Sequence, residues 1–295
     1  MRVGWLGLGA MGAPMAACLA RAGHEVTGYD VAPERVHALA AAGGRAADSI
    51  AAAAGSADVV AIMVATPEQL EQVLFGEAGL LGTGGEGLPG TTVMIMATVG
   101  PEAVVSAAGR LGDRGVAVVD APVSGGVTRA EAGDLLIMVS GASQAVARAR
   151  PLLDVLARSA PVVGSAPGNG QRMKLVNQLL CGVHIAVAAE ALAFAESLGL
   201  EPEQCWQVLR NGAAASFMFE DRGARMVTGG FGEVRSAMDI FVKDMGLVGA
   251  AAGEAGARIP LAAAARELYD RGHDRGLGRL DDSAVIQVLR ERPSR

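Results

Sequence analysis

Residues 2–30 read RVGWLGLGAMGAPMAACLARAGHEVTGYD, and this stretch decides the N-terminal fold. A short apolar strand at 3–6 leads into a glycine turn, an alanine-rich helix and a second strand at 25–29 that ends at Asp30. Gly7, Gly9 and Gly12 keep the G-x-G-x-x-G spacing, with the acid about 20 residues on, in a strand–helix–strand setting. Gly7 permits the tight turn, Gly9 lets backbone approach a pyrophosphate, and Gly12 lets the helix pack closely on the strand. The helix start offers unpaired N–H groups and a positive dipole end to phosphates. Asp30 would accept hydrogen bonds from a ribose diol. A glycine-rich turn with no ligand is the bland alternative; strand, helix and acid together point to dinucleotide binding.

Outward from this unit, apolar and helical segments alternate. Helices are expected from Pro33 to about residue 42 and, capped by Asp48, to 54; the run 58–64 is a strand buried on both faces, followed by a helix to 74. The glycine-rich stretch 76–90 reads as loop. Strands at 91–96, 116–119, 135–140 and 161–163 alternate with helices at 101–111 and 143–158. This pattern predicts an α/β fold, a Rossmann-type doubly wound and mostly parallel sheet over residues 1–163, with ligand at the carboxyl ends of its strands. After the linker GSAPGNG only helical signals remain, so residues 164–295 are expected to form an all-α domain. Its first helix covers about 171–198, with others near 202–211, 216–228, 234–254, 260–272 and 281–290. A cleft between two such domains is the default active site.

Bulk properties narrow the class. The chain of 295 residues is 51% hydrophobic and 3% aromatic with 41 glycines, which suits close-packed helices on a parallel sheet. Net charge is −6 and the 25 Lys and Arg form no basic run, which argues against nucleic acid. Cys18, Cys181 and Cys205 have no C-x-x-C spacing and read as small buried residues of a reducing compartment. The start imitates a secretory signal, but glycines break the apolar run; His184 and Glu190 interrupt the most apolar segment later on. A cytoplasmic protein with no membrane span is expected. Its alanine-rich helical surface suggests a homo-oligomer, a dimer or tetramer. The four histidines show no ligand spacing, so no metal is assigned.

Three groups of residues could carry chemistry. Lys174 lies on a largely apolar helix with Gln171, Asn177 and Gln178 on the same face. Shielded from water, such a lysine exchanges protons near neutrality; the alternative is a side chain that snorkels to solvent. Ser124-Gly125-Gly126 follows a strand and is either an anion-binding nest or an ordinary turn. Lys243-Asp244 is either a surface ion pair or a lysine reaching toward a cofactor.

GLGAMGAPMA, DAPVSGG, the G-N-G-x-x-x-K-x-x-N run and FVKDMGL, in this order and spacing, resemble the β-hydroxyacid dehydrogenases, a family that includes 3-hydroxyisobutyrate dehydrogenase and tartronate semialdehyde reductase. QLLCGVHIAVAAEA, SFMFEDR, SAMDIFVKDMGLV and DDSAVI resemble the branch acting on L-threonate. The resemblance implies that Lys174 is the catalytic acid/base, that Ser124, Gly125 and Gly126 hold a substrate carboxylate, and that Asn177 contacts substrate. It also implies a dinucleotide held by Gly7, Leu8, Gly9, Ala10, Met11, Gly12, Asp30, Val64, Ala65, Thr98 and Lys243. Asp30, with no arginine directly after it, favours NAD over NADP, although Arg35 lies nearby. The implied reaction is hydride transfer between nicotinamide and a small hydroxy acid, L-threonate or a related C4 sugar acid. The rivals are a 3-hydroxyisobutyrate dehydrogenase, a tartronate semialdehyde reductase and a catalytically silent nucleotide sensor. The chain departs from the family pattern at Ile95-Met96-Ala97-Thr98, which lacks a serine hydroxyl, and at Val64-Ala65-Thr66-Pro67. Asn177 stands where the threonate branch carries histidine.

Overall fold

The computed structural model describes residues 1–82, 88 and 90–290. They divide into two compact units, Met1–Lys174 and Leu175–Arg295. In the first, β1 (Arg2–Leu6), α1 (Gly12–Arg21), β2 (Glu25–Tyr29), α2 (Pro33–Ala41), β3 (Arg45–Ala46), α3 (Ile50–Ala54), β4 (Val59–Ile62), α4 (Pro67–Phe75), β5 (Thr92–Ile95), α5 (Pro101–Gly112) and β6 (Ala117–Asp120) follow in order. Then come β7 (Val123–Ser124), α6 (Gly126–Ala132), β8 (Leu135–Ile137), β9 (Val139–Gly141), α7 (Ser143–Leu156), β10 (Ala157–Ser159) and β11 (Val162–Gly164).

Eight strands form one sheet in the order β11-β9-β6-β5-β4-β1-β2-β3, parallel throughout except where β9 runs against β6. Side-chain alternation sends the residues of each central strand to opposite faces. Trp5, Val59, Met94 and Val119 share one core with Met15 and Leu19 of α1 and with Val146 and Leu152 of α7. Leu6, Val60, Ile62, Val93 and Ile95 share the other with Ile50 of α3, Leu70 and Leu74 of α4 and Leu111 of α5. Covered on both faces, β4 needs an unbroken apolar run; each such side chain contributes about 1.5–3 kcal/mol by its burial. Gly4 is where α3 lies directly on β1, since a Cβ there would sit 2.6 Å from the Ala53 carbonyl oxygen.

Several local expectations are corrected. Ser49, not Asp48, caps α3, its Oγ accepting from the Ala52 N–H. The single strand expected over 135–140 is two strands in two sheets, because the Met138 N–H turns away to the Pro122 carbonyl. β8 thereby joins a small second sheet, β10-β8-β7. Part of the glycine-rich loop expected over 76–90 lies outside the described residues; within the rest, Gly76, Gly79, Leu80, Leu81 and Gly82 donate a chain of backbone hydrogen bonds.

The long helix α8 (Asn169–Ser197) begins in the first unit, two residues before the expected start, and runs through the second. There it is followed by α9 (Pro202–Leu209), α10 (Phe217–Thr228), α11 (Met238–Glu254), α12 (Pro260–Asp274), a 3-10 turn (Asp282–Val285) and α13 (Ile286–Arg290). By length and a mean hydropathy of 1.7, α8 is apolar enough to cross a bilayer despite His184 and Glu190. Yet its Ile185, Ala188, Ala189 and Leu192 form the middle of the helical core with Phe219, Phe241, Met245 and Tyr269. Gly182 lets α11 approach, a Cβ there falling 2.4 Å from Met245 Sδ. Tyr269 is fully buried, stacks on Phe241 at 5.4 Å and donates to the Gly182 carbonyl at 2.7 Å.

Candidate active site

The glycine turn after β1 divides its tasks as its spacing predicts. Gly7 has φ +96° and faces the end of β4, where a Cβ would meet the Met63 carbonyl oxygen at 2.3 Å. Gly12 lies so close beneath the turn that a Cβ would be 2.0 Å from the Gly7 oxygen. Gly9 faces open space, with no atom within 4 Å of a Cβ position. Backbone beside Gly9 is therefore approachable, next to a helix start whose first N–H groups have no partner within the helix. At the end of β2, a cavity of about 640 Å³ is lined by Tyr29, Asp30, Val31, Pro33, Val36 and His37 among others. Its size is that of a small-molecule site. These residues fit the adenosine half of a dinucleotide.

Asp30 does more than wait for a ribose. Its Oδ2 accepts from the Leu8 N–H at 2.6 Å and its Oδ1 from the Ala32 N–H at 2.9 Å, with Arg35 Nη1 at 3.4 Å from Oδ1. The side chain is 6% exposed. It braces the glycine turn, and a carboxylate with about four acceptor positions has one left beyond these three contacts.

Further along the same sheet, Val64 and Ala65 follow β4, and Thr98 lies in the loop between β5 and α5, all at strand carboxyl ends. Gln69 Oε1 accepts from the Ala65 N–H at 2.8 Å, and Thr66 caps α4. Ser124 ends β7; Gly125 and Gly126 follow at φ +144° and +77° and open α6, a helix the sequence reading did not foresee. Both positive φ values fall on glycine, the residue that adopts them without a Cβ clash.

Lys174 is 6% exposed, in the second turn of α8. The start of that helix is fastened by groups whose role spacing did not reveal. Asp120, fully buried at the end of β6, accepts through Oδ2 from the N–H groups of Gly168 (2.8 Å) and Gln171 (3.1 Å) and from Ser140 Oγ (3.0 Å). Its Oδ1 accepts from Gln171 Nε2 at 2.9 Å. Burial raises the Asp120 pKa, against the lowering by hydrogen bonds from Gln171, Gly168 and Ser140. The glycines of the G-N-G run now have a cause. Gly168 sits at φ +98°, and a Cβ on Gly170 would lie 2.6 Å from the Met138 oxygen and 2.8 Å from Asp120 Oδ2.

In the second unit, Asn177 Nδ2 donates to Gln178 Oε1 at 2.8 Å, and Gln178 Nε2 donates to Asp244 Oδ2 at 2.5 Å. Lys243 Nζ stands 2.8 Å from Asp244 Oδ1. Asp244 is 2% exposed, so the Lys243–Asp244 pair is not a solvated helix-surface pair. The predicted residues thus fall into two sets. The glycine turn, Asp30, Val64, Ala65, Thr98, the Ser124 turn and Lys174 belong to the first unit, and Asn177 and Lys243 are joined through Gln178 and Asp244 in the second.

Comparison with known proteins agrees with this geometry. Residues 2–164 match the NAD-binding domain of 6-phosphogluconate dehydrogenase, and residues 168–289 match the NAD-binding model of NADP-dependent 3-hydroxyisobutyrate dehydrogenase. The fold and these matches define a dinucleotide-dependent oxidoreductase. The chain is 40% identical to the L-threonate dehydrogenase of Cupriavidus necator, over 97% of its own length and 95% of that protein. It is 34% identical to the 2-hydroxy-3-oxopropionate reductase of Escherichia coli K12, over 98% and 97%. A crystal structure of 3-hydroxyisobutyrate dehydrogenase from Salmonella typhimurium superposes with a TM-score of 0.89 at 38% identity, covering 97% of this chain and 99% of that one. The chain belongs to the 3-hydroxyisobutyrate dehydrogenase-like family of NAD(P)-dependent β-hydroxyacid dehydrogenases.

Proposed function

We propose that the protein is an NAD-preferring dehydrogenase of L-threonate or a related C4 sugar acid. The observation that carries the reading is a buried lysine near the start of a helix fastened to the dinucleotide sheet, Lys174. The 40% identity to an L-threonate dehydrogenase supports the substrate. In this reading the Ser124-Gly125-Gly126 turn holds the carboxylate through inward N–H groups and the Ser124 hydroxyl. Neutral Lys174 accepts the hydroxyl proton at Nζ as the carbinol C–H bond breaks; in reverse its ammonium protonates the alkoxide. Nicotinamide, when bound, takes the hydride. Asn177, three residues on and on the same helix face, orients the reacting oxygen. A role for Lys243 beside the dinucleotide rests on the family resemblance alone.

The preference for NAD rests on Asp30, whose carboxylate would repel a 2′-phosphate. Arg35, half exposed and already leaning on Asp30, is a nearby group that would favour the phosphate. A reductase of 2-hydroxy-3-oxopropionate is the second reading, favoured by the 34% identity and by Asn177, which stands where the threonate branch carries histidine. NAD and NADP reduction over a panel of C3 and C4 hydroxy acids separates the two. Lys174→Ala should lower turnover by about 10²–10⁴-fold while NAD still binds, as expected for a lost acid/base; wild-type turnover in that variant would sink the assignment.

The protein is further proposed to work as a cytoplasmic homo-oligomer. None of the three cysteines is in a disulfide, in keeping with a reducing compartment. On α8, Val176, Leu180, Val187 and Phe194 recur at helical spacing and are each at least half exposed. Such a row calls for cover. Light scattering on the eluting peak should give a mass of two or four chains; a single-chain mass would refute it.

A further inference from the structure

The side-chain amide of Gln171 makes four hydrogen bonds. Oε1 accepts from the N–H groups of Val99 (3.0 Å) and Gly100 (3.1 Å), while Nε2 donates to the Ala97 carbonyl (3.0 Å) and to Asp120 Oδ1 (2.9 Å). Two donors and two acceptor positions are thereby filled, and the amide is saturated. Three of its four partners are backbone atoms of residues 97–100, the loop that carries Thr98. Asp120 holds the other end: it takes the Gly168 and Gln171 N–H groups, and Ser140 relays between Asp120 and the Gly170 N–H at 2.9 Å. One side-chain pair therefore ties the first turn of α8 to the loop after β5. Lys174 is three residues from Gln171 and moves with that turn.

We infer that Asp120 and Gln171 are positioning residues that hold Lys174 and the Thr98 loop in one register for hydride transfer. The inference rests on the acid/base role proposed for Lys174. Part of the Gln171 amide's role is stability, since an apolar side chain here would leave the Val99 and Gly100 N–H groups and the Ala97 carbonyl without this partner. What the saturated amide supplies is direction, because its four partners fix both its position and its plane. Displacing a catalytic group by about 1 Å is enough to cost about 100-fold in rate.

The test uses the full chain with Gln171→Met, Asp120→Asn and the exchange Asp120→Asn with Gln171→Glu. The exchange keeps the bond between positions 120 and 171 with donor and acceptor reversed, and a buried, protonated glutamic acid at position 171 keeps a donor for the Ala97 carbonyl. Turnover is read at saturating NAD with whichever hydroxy acid of the panel the wild type oxidises, so failure of the L-threonate reading leaves the test intact. Each single change should lower kcat by about 10- to 100-fold in protein that is folded at the assay temperature, and the exchange should regain about tenfold. Without any ligand, amide hydrogen exchange at Val99 and Gly100 should speed up at least about tenfold in Gln171→Met, through local opening. If Asp120→Asn does not fold, Gln171→Met and the milder Ser140→Ala carry the same comparison. Unchanged kcat in the folded single variants, strictly additive losses in the exchange, or unaltered exchange at Val99 and Gly100 would each overturn the inference. Wild-type turnover in Lys174→Ala would instead strike the acid/base reading itself, and the two failures are told apart by which variant keeps its rate.

Discussion

Each unit of the molecule contains a dense buried polar cluster, Asp120 in one and Arg222 with Asp282 in the other, and these two are built on different principles. In the sheet unit, Asp120 is met by neutral donors: two backbone N–H groups, one amide and one hydroxyl. In the helical unit the cluster is ionic. Arg222 forks onto Asp282 at 2.9–3.3 Å and touches Asp221 at 2.8 Å, while Arg225 pairs with Asp221 at 2.5 Å and with Asp281. Opposite charges in a low dielectric attract strongly at any angle, and the Arg222 fork adds two-point geometry, whereas Asp120 is held by directional bonds from uncharged donors alone. The ionic cluster ties α10 to a segment 60 residues further along the chain. The neutral cluster orients a helix start. The contrast teaches that the first is suited to holding the fold together and the second to aiming a side chain.

Breaking the ionic cluster should therefore have the largest effect on stability in the molecule. Arg222 is 9% exposed and Asp282 is fully buried. Asp282 and Asp221 hold the guanidinium charged against the opposing effect of burial. Arg222→Met leaves the Asp282 carboxylate buried without its partner, and the expected loss is about 3–5 kcal/mol by chemical denaturation. Turnover per folded molecule should stay near the wild-type value, the reverse of what is expected for Gln171→Met. A large stability loss in Gln171→Met and a small one in Arg222→Met would invert the comparison.

How much of this was readable from sequence follows from the range of each interaction. The βα turn, the alternating sheet unit and the helical remainder were legible because glycine spacing and apolar periodicity are local signals. Gly7 and Gly12 make the tight turn and the close packing that their spacing predicts, and Gly9 faces open space. The Gly168 and Gly170 pair was visible as a motif, but its cause, a carboxylate 48 residues earlier, was not. Asp120 stood in the sequence only as the first residue of DAPVSGG, just after an apolar strand, and Gln171 as a neighbour on the Lys174 face. Nothing in either spacing says that the two side chains meet. Lys243-Asp244 read either as a surface pair or as a lysine reaching toward a cofactor, and neither reading showed that Asp244 has another partner in Gln178, 66 residues away. Glycine richness also concealed α6, whose first residues double as the turn after β7. The one available hint was an acid closing a strand of otherwise apolar residues, since a buried carboxylate must find donors.

The smallest effects, and the finest division between the two clusters, should appear on titration. Burial raises Asp120, so in the folded state it takes up its proton above its unfolded value; stability linked to this group rises as pH falls through that raised pKa. Asp281 has the opposite sign. Burial would raise it, but hydrogen bonds from Ser283 and the Arg235 N–H, with the charge of Arg225, carry it below the usual carboxylate range. Its contribution is present above the unfolded value and is lost as pH falls through the lowered one. Denaturation midpoints of wild type, Asp120→Asn and Asp281→Asn, followed from neutral pH into acid, should diverge accordingly. The wild-type value should gain on Asp120→Asn in mild acid, above the unfolded carboxylate pKa, and lose its margin over Asp281→Asn in stronger acid, below it. An exposed control lies at α12, where the Asp239 carboxylate, 2.7 Å from His273 Nδ1, raises the histidine above its ordinary value. That contribution is complete below the unfolded histidine pKa and fades as pH rises through the folded one, and salt should weaken it because the pair is solvated. Asp282 is raised by burial as Asp120 is, so the comparison is between two carboxylates, and parallel acid slopes for the Asp120 and Asp281 variants would mean that these two do not differ in sign.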